Sequence, residues 1–443
     1  MREIRLYGSE GGGAEFNRLF LPLSMIWRRR APAAPLRAEF SEEEGGQTTM
    51  KPQQGRIKVG FILFLAVGMC VTAGAATLQV GPGKPYSAPC AAIAVAAPGD
   101  VIEIDAGLYL GDVCAWYTDD LTLRGVNGRA HLDANHKNAQ GKGIWVPHGR
   151  DTVVENIEFS GARVPSHNGA GIRADGANLT VRNCFFHDNE EGILESNIAG
   201  SNILIEFTEF ARNGYKSGQS HNLYIGHAAS LMFRFNYSHD AVVGHLLKTR
   251  AAVNYILYNR LTEEDGTGSY EIDVPNGGTT YVIGNLIQQG PSTENSTLLS
   301  YLEEGINSLN PGLDLYVVNN SLANQLPSGG TFVYARPTGT TPPLIENNIF
   351  FGPGTLTNQA GALFITNFTG DPLFVDLENF DYRLSAGSPA IDGGVDPGSA
   401  NVYSLKPRYE YVHPACGERR HTVGIIDIGA YEYGGAGASL SCR

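Results

Sequence analysis

Through the middle of the chain, apolar and polar residues alternate in short runs that recur every ~24–35 residues. Val-Glu-Asn-Ile-Glu-Phe (154–159), Val-Arg-Asn-Cys-Phe-Phe (181–186), Ile-Glu-Phe-Thr-Glu-Phe (205–210) and Phe-Arg-Phe-Asn-Tyr-Ser (233–238) open the series. Leu-Tyr-Asn-Arg-Leu (257–261), Ile-Gly-Asn-Leu-Ile (283–287), Val-Asn-Asn-Ser-Leu (318–322) and Glu-Asn-Asn-Ile-Phe (346–350) continue it. A period of two is the signature of a strand. No single copy can bury its own apolar face, so the copies must stack. The unit is too short for a four-stranded propeller blade and has no helical stripe. It fits one turn of a single-chain parallel β-helix, an all-β solenoid.

Each turn carries a second alternating segment: Gly171–Asp175, Gly192–Ser196, His221–Gly226, Gly244–Arg250, Ser269–Val274, Leu298–Glu303 and Thr331–Ala335. Between the segments lie Gly, Asn and Asp, the residues of tight corners. The Asn residues at 183, 259, 285, 320 and 348 predict a ladder of stacked amides in those corners. An Ala-rich stretch, Ala91–Ala97, predicts a short helix ahead of the first coil, where it would cover exposed strand edges.

The N-terminus departs from this pattern. Residues 1–49 have no sustained period and read as a mis-assigned start or a disordered extension. From Met50, Lys51, Arg56 and Lys58 form a basic region, Val59–Met69 an apolar one, and Ala73-Gly74-Ala75 a small-residue cleavage site. Residues 50–76 therefore read as a signal peptide and 77–443 as the exported β-helix with a C-terminal capping segment; the alternative is a cytoplasmic extension ahead of a membrane anchor. Ten of the 32 basic and seven of the 45 acidic side chains fall in residues 1–75, leaving 22 against 38 and a net charge near −16. Such a chain repels nucleic acid and anionic membranes. The expectation is a secreted or periplasmic monomer with no stable membrane insertion after signal cleavage. Cys90 with Cys114 and Cys416 with Cys442 sit where the two ends of a solenoid need staples; Cys184, among Phe and Val, reads as a buried free thiol.

The chemistry concentrates in the second segments. With Leu223, Ile225, Leu247, Thr249, Tyr270, Ile272 and Val274 inward, Asn222, Tyr224, Lys248, Arg250, Glu271 and Asp273 point outward. The next coil, with Leu298, Ser300 and Leu302 inward, adds Tyr301 and Glu303 outside, and Val333 and Ala335 would follow as plain surface. Adjacent coils lie ~4.8 Å apart, so these side chains form one column. Two reactions would use it. In β-elimination on a uronic-acid polymer, a cation neutralises the carboxylate while a base takes the C5 proton. Lys248 would be the base, provided that Arg250 and low exposure depress its pKa, and Arg250 would clamp the carboxylate. Tyr224, His221 or His245 would protonate the leaving oxygen, and Asn222, Tyr301, Glu303 and Asp240 would line the substrate. Glu271 and Asp273 would hold Ca²⁺. In hydrolysis, Glu271 and Asp273, about 6.6 Å apart on one face, would act as acid and base, with Asp240 joining them. The structural alternative is a surface ion-pair ladder. His187-Asp188 and His239-Asp240 recur at equivalent corners, which favours corner hydrogen bonding over catalysis, and Trp116 and Trp145 read as N-terminal packing before sugar platforms.

The stretch from about 77 to 435 resembles the right-handed parallel β-helix superfamily of pectate-lyase-like secreted proteins. Its tail, Asp371-Pro-Leu-Phe, Gly387-Ser-Pro-Ala-Ile-Asp392 and Asp427-Ile-Gly-Ala-Tyr-Glu432, is similar to the terminal segment of bacterial members. Leu247–Asn259 also resembles the stretch of the chondroitinase B and alginate lyase family that carries a basic Lys, which would make Lys248 the proton acceptor. This chain departs from that family at Ala241–His245, where the acidic calcium ligands would stand, and at Tyr270–Asp273, where an Arg would. The resemblance implies an exported polysaccharide lyase acting on an acidic polymer. A glycoside hydrolase or C5-epimerase on the same scaffold, and a non-catalytic carbohydrate-binding or envelope protein, are the alternatives.

Overall fold

The computed structural model describes residues 74–216 and 219–442, so the expected signal peptide and the segment before it lie outside the described residues. The coils stack as a parallel β-solenoid of about ten turns. One wall is a ten-stranded parallel sheet running from Cys114–Trp116 to Thr355–Thr357; a twenty-stranded sheet supplies the remaining strands of each coil. A single-turn helix, Pro89–Ile93, starts two residues before the Ala-rich stretch and buries Ala92 and Ile93.

Stacking explains the core. Phe159, Phe186 and Phe210 lie one per coil, 4.8 and 5.1 Å apart and within 9° of parallel, and Trp145 closes the stack edge-on at 5.1 Å. Trp145 and Trp116 are both buried, so they are packing residues as the sequence favoured. The amide ladder is present and longer than expected. Starting from Asn236, the side-chain oxygens of Asn259, Asn285, Asn320, Asn348 and Asn367 each accept the backbone N–H and the side-chain amide of the preceding rung at 2.9–3.1 Å. These polar groups sit inside the solenoid because every donor meets an acceptor on the next coil. Asn183 is not a rung; Cys184 takes the interior place, its N–H donating to Thr208 Oγ1 (3.3 Å), while Asn183 bonds Asn156 at the surface.

Both expected disulfides form, Cys90–Cys114 and Cys416–Cys442, and Cys184 is free and buried. The C-terminal segment runs back along the flank, where Arg408 N–H donates to Tyr258 Oη at 3.0 Å and Asn319 bonds Asp427 and Gly429. On the terminal coil, by contrast, Leu363, Phe364 and Ile365 remain exposed. Among the described residues, no helix is long and apolar enough to cross a membrane.

Candidate functional site

Strand register on the ten-stranded wall pairs Tyr224 with Lys248, Lys248 with Asp273, Asp273 with Ser300, and Ser300 with Tyr334. Inside, Leu223, Ile225, Leu247, Ile272, Val274, Leu299 and Tyr301 join the apolar core. The expected column therefore exists for Tyr224, Lys248 and Asp273 and slips by one residue on the following coil. Ser300 stands outside where Tyr301 was expected. Tyr301 is 1 % exposed, its hydroxyl donating to the Gly278 carbonyl at 2.8 Å. The same slip puts Val333 and Ala335 in the core and Tyr334 outside.

Lys248 is almost enclosed, its side chain 11 % exposed, and its ammonium lies 3.1 Å from Asp273 Oδ2 and 3.2 Å from Glu304 Oε1. Burial works against the charge, but Asp273 and Glu304 outweigh it and raise the Lys248 pKa above the ordinary lysine value. This is opposite to the depressed value that the sequence reading asked of Arg250 and low exposure. Arg250 Nε donates to Tyr224 Oη at 2.6 Å, Nη1 donates to Asn276 Oδ1, and Nη2 meets Glu304 Oε2 at 2.7 Å. Its backbone carbonyl is held by Asn310 Nδ2 at 3.0 Å.

Glu304 thus bridges both cations. Burial pushes its pKa up, yet Lys248 and Arg250 hold it below the usual glutamate value. Sequence reasoning passed it over for Glu303 because the wrong register put residue 303 in the column. The chain turns at Leu302, whose φ of +63° is unusual for a bulky residue, and Glu304 N–H then bonds the Pro275 carbonyl at 3.1 Å. Glu303 leaves the column and accepts hydrogen bonds from Tyr270 Oη at 2.7 Å and Ser300 Oγ at 3.2 Å.

Beside this cluster runs a stack of rings. His221 lies 4.7 Å from His245, and His245 4.8 Å from Tyr270, so Tyr270 belongs to this stack rather than to the interior. His245 N–H donates to His221 Nδ1 at 3.0 Å and Tyr270 N–H to His245 Nδ1 at 3.2 Å. With Nδ1 accepting, each neutral ring carries its proton on Nε2, and that of His245 faces Asp273 Oδ2 at 3.4 Å. Burial first, then Lys248 and Arg250 for His221 and also His221 for His245, push both pKa values well below the ordinary histidine value. Burial and the chain of N–H to Nδ1 bonds thus favour the neutral form of both rings and hold them in the wall.

Three further expectations are corrected. Asn222 is fully buried, turned inward, bonding Asn213, Ser238 and the His239 carbonyl. Glu271 is fully buried too, and neither carboxyl oxygen has a hydrogen-bond partner. Burial, then Glu263, raises its pKa well above the carboxylate range, while the charges that act on Asp273 are Lys248, Glu304 and Arg250. Glu271 and Asp273 therefore form neither an acid–base pair nor a joint metal site. Asp240 binds His239 Nδ1 at 2.6 Å at a corner of the other sheet, away from Lys248. Asp273 Oδ1 is buried without a partner, while Asp273 Oδ2 shares the Lys248 ammonium with Glu304.

No protein-family model matches the chain, nor does any of the curated proteins compared with it. Among solved structures it is similar to the pectate lyase Pel9A, at 16 % identity and a TM-score of 0.59, over 81 % of this chain and 97 % of that one. It is also similar to an alginate lyase from Paenibacillus sp. (14 % identity, TM-score 0.31, 66 % and 99 % covered). A pectin methylesterase from Aspergillus niger is a third (12 % identity, TM-score 0.32, 71 % and 91 % covered). The molecule shares the fold of pectate lyase Pel9A, a right-handed parallel β-helix.

Proposed function

We propose that the protein is an exported lyase that cleaves a uronate-containing polysaccharide by β-elimination on the outer face of the ten-stranded wall. The observation that carries this reading is the convergence of Lys248 and Arg250 on one exposed carboxylate, that of Glu304, with the Tyr224 hydroxyl bonded to the same Arg250. A substrate carboxylate has the same chemistry as Glu304 and can replace it on Arg250 as a bidentate partner. Once the substrate carboxylate takes Glu304's place on Arg250, Lys248 keeps burial and Arg250, both of which lower its pKa, with Asp273 as its remaining carboxylate partner from the protein. Its neutral form then takes the C5 proton onto Nζ. The Tyr224 oxygen accepts from Arg250 Nε, which leaves its own proton free to reach the leaving oxygen. This geometry favours Tyr224 over His221 and His245 as the acid.

The test is to incubate the full chain with polygalacturonate, alginate and chondroitin sulfate, with and without chelator, following ultraviolet absorbance and reducing ends. Unsaturated uronate from one polymer, absent with Lys248→Ala, supports the proposal. Reducing ends without absorbance would mean hydrolysis, and retention of polymer with neither signal would mean binding alone. Either outcome overturns the lyase reading.

A further inference from the structure

On the twenty-stranded sheet, away from Lys248, His131, Glu158 and His187 come from three successive coils: Glu158 pairs in register with His131 on one side and with Phe185 on the other. Their ligand atoms all lie within 4.8 Å of one another. Glu158 Oε1 is 3.0 Å from His187 Nε2 and 3.5 Å from His131 Nδ1. The other nitrogen of each ring is already engaged. His187 Nδ1 is 2.6 Å from Asp188 Oδ2, so that nitrogen donates its proton to the carboxylate. His131 Nε2 is 2.7 Å from Ser160 Oγ, whose hydroxyl donates to Asp133 Oδ2 at 3.3 Å, so Nε2 of His131 is the donor to Ser160. In their neutral forms the two rings therefore turn a lone pair each toward the Glu158 carboxylate across a half-buried gap, and without a metal a proton on His187 Nε2 bridges it to Glu158 Oε1 at 3.0 Å. Acceptors cannot face each other at such distances unless a proton or a cation lies between them.

We propose that His131 Nδ1, Glu158 and His187 Nε2 hold a divalent transition-metal ion of the zinc class, stapling three coils together. Ligands of a tetrahedral zinc, each 2.0–2.2 Å from the metal, stand roughly 3.3 Å apart, close to the spacings of 3.0 and 3.5 Å from Glu158 Oε1 to the two rings. Imidazole nitrogen selects zinc-like ions over calcium and magnesium, which take oxygen. Asp188 on His187 and Ser160 on His131 are the partners that orient metal-bound imidazoles by holding the distal nitrogen. The comparable group on the same sheet, His239, Asp240 and Glu264, is less suited, because Arg260 Nη2 already occupies Glu264 Oε1 at 2.6 Å.

The experiment is equilibrium dialysis of the full chain against Zn²⁺, with Co²⁺ as a spectroscopic substitute. One ion per chain is expected, with the intense visible bands of tetrahedral Co²⁺ and no displacement by millimolar Ca²⁺. His187→Gln and His131→Gln should weaken binding by at least ~100-fold, Asp188→Asn by roughly 10- to 100-fold, and His239→Gln not at all. Glu158→Gln, which keeps the size of the side chain, serves if a histidine variant fails to fold. Absence of zinc from the parent protein, unchanged binding by the His187 and Glu158 variants, or displacement by Ca²⁺ would overturn the proposal.

Discussion

Replacing Lys248 by Ala removes the main partner of Asp273, a carboxylate whose side chain is only 3 % exposed. Breaking a buried ion pair from one side costs about 3–5 kcal/mol. Here the cost is smaller. His245 Nε2 remains 3.4 Å from Asp273 Oδ2, and Asp273, already pushed up by burial, can take a proton. A loss of about 2–3 kcal/mol at pH 8 follows. With an unfolding entropy near 2.1 cal/mol/K per residue over about 370 residues, this lowers Tm by roughly 3 °C. The sign with pH is fixed. An Asp whose pKa is higher folded than unfolded binds more protons in the native state, so its penalty appears as pH rises through the unfolded value near 3.9 and grows up to the folded one. The Tm deficit of Lys248→Ala should therefore be smaller at pH 5 than at pH 8. The double variant Lys248→Ala/Asp273→Asn should recover most of that stability and remain inactive, read by scanning calorimetry beside the ultraviolet lyase assay. If the double variant is no more stable than the single one, the pair is not what Lys248 contributes to the fold. If Lys248→Ala turns over substrate at the parent rate, the base assignment falls.

Tyr224→Phe keeps the ring packing but removes the hydroxyl between Arg250 and the substrate; kcat should fall ~100-fold or more with Tm nearly unchanged, and a parent-like kcat would assign the acid elsewhere. Glu271→Gln should leave activity and calcium response intact and raise stability increasingly as pH climbs above the unfolded value near 4.5, because the native carboxyl is buried and held neutral; a chelation phenotype in this variant would restore Glu271 to the metal site. His221 and His245 are neutral when folded and charge when unfolded, so each costs stability as pH falls below about 6.5, by up to ~1.4 kcal/mol per pH unit. Denaturant melts between pH 7 and 5 should show this slope, and His245→Gln should reduce it; an unchanged slope would mean that His245 is not the buried neutral ring described.

The repeat was readable because a solenoid makes local patterns global: each coil must satisfy the same period-two alternation, so errors in one copy are outvoted by the others. The amide ladder and the two His-Asp corners were legible for the same reason. His187 Nδ1 and His239 Nδ1 each bond the following Asp at 2.6 Å, two instances of one local geometry. What repetition cannot supply is the phase of any one strand. Leu298-Leu-Ser-Tyr-Leu offers two apolar faces of similar strength, and a Tyr with a buried carbonyl partner lies inside as comfortably as a Leu. One residue of slip exchanges every side chain across the sheet, and that cost the reading both Tyr301 and Glu304.

The ionisable residues were harder still, because outwardness does not settle environment. Lys248, Glu271 and Asp273 all follow the alternation of their strands, yet Lys248 is charged between two anions while Glu271 is sealed beside Glu263. The difference comes from the corners. Leu302 at φ +63° delivers Glu304 to Lys248 and Arg250, whereas the turn before Ser269 folds Glu263 under the wall. Corner geometry depends on single residues in loops of unequal length, where the coils cease to resemble one another. A solenoid is therefore most legible in its walls, and its specific chemistry is written in the loops that break the repeat. Glu304 is the instance here: a loop residue, invisible to the period, that joins Asp273 in keeping the lysine the period revealed charged.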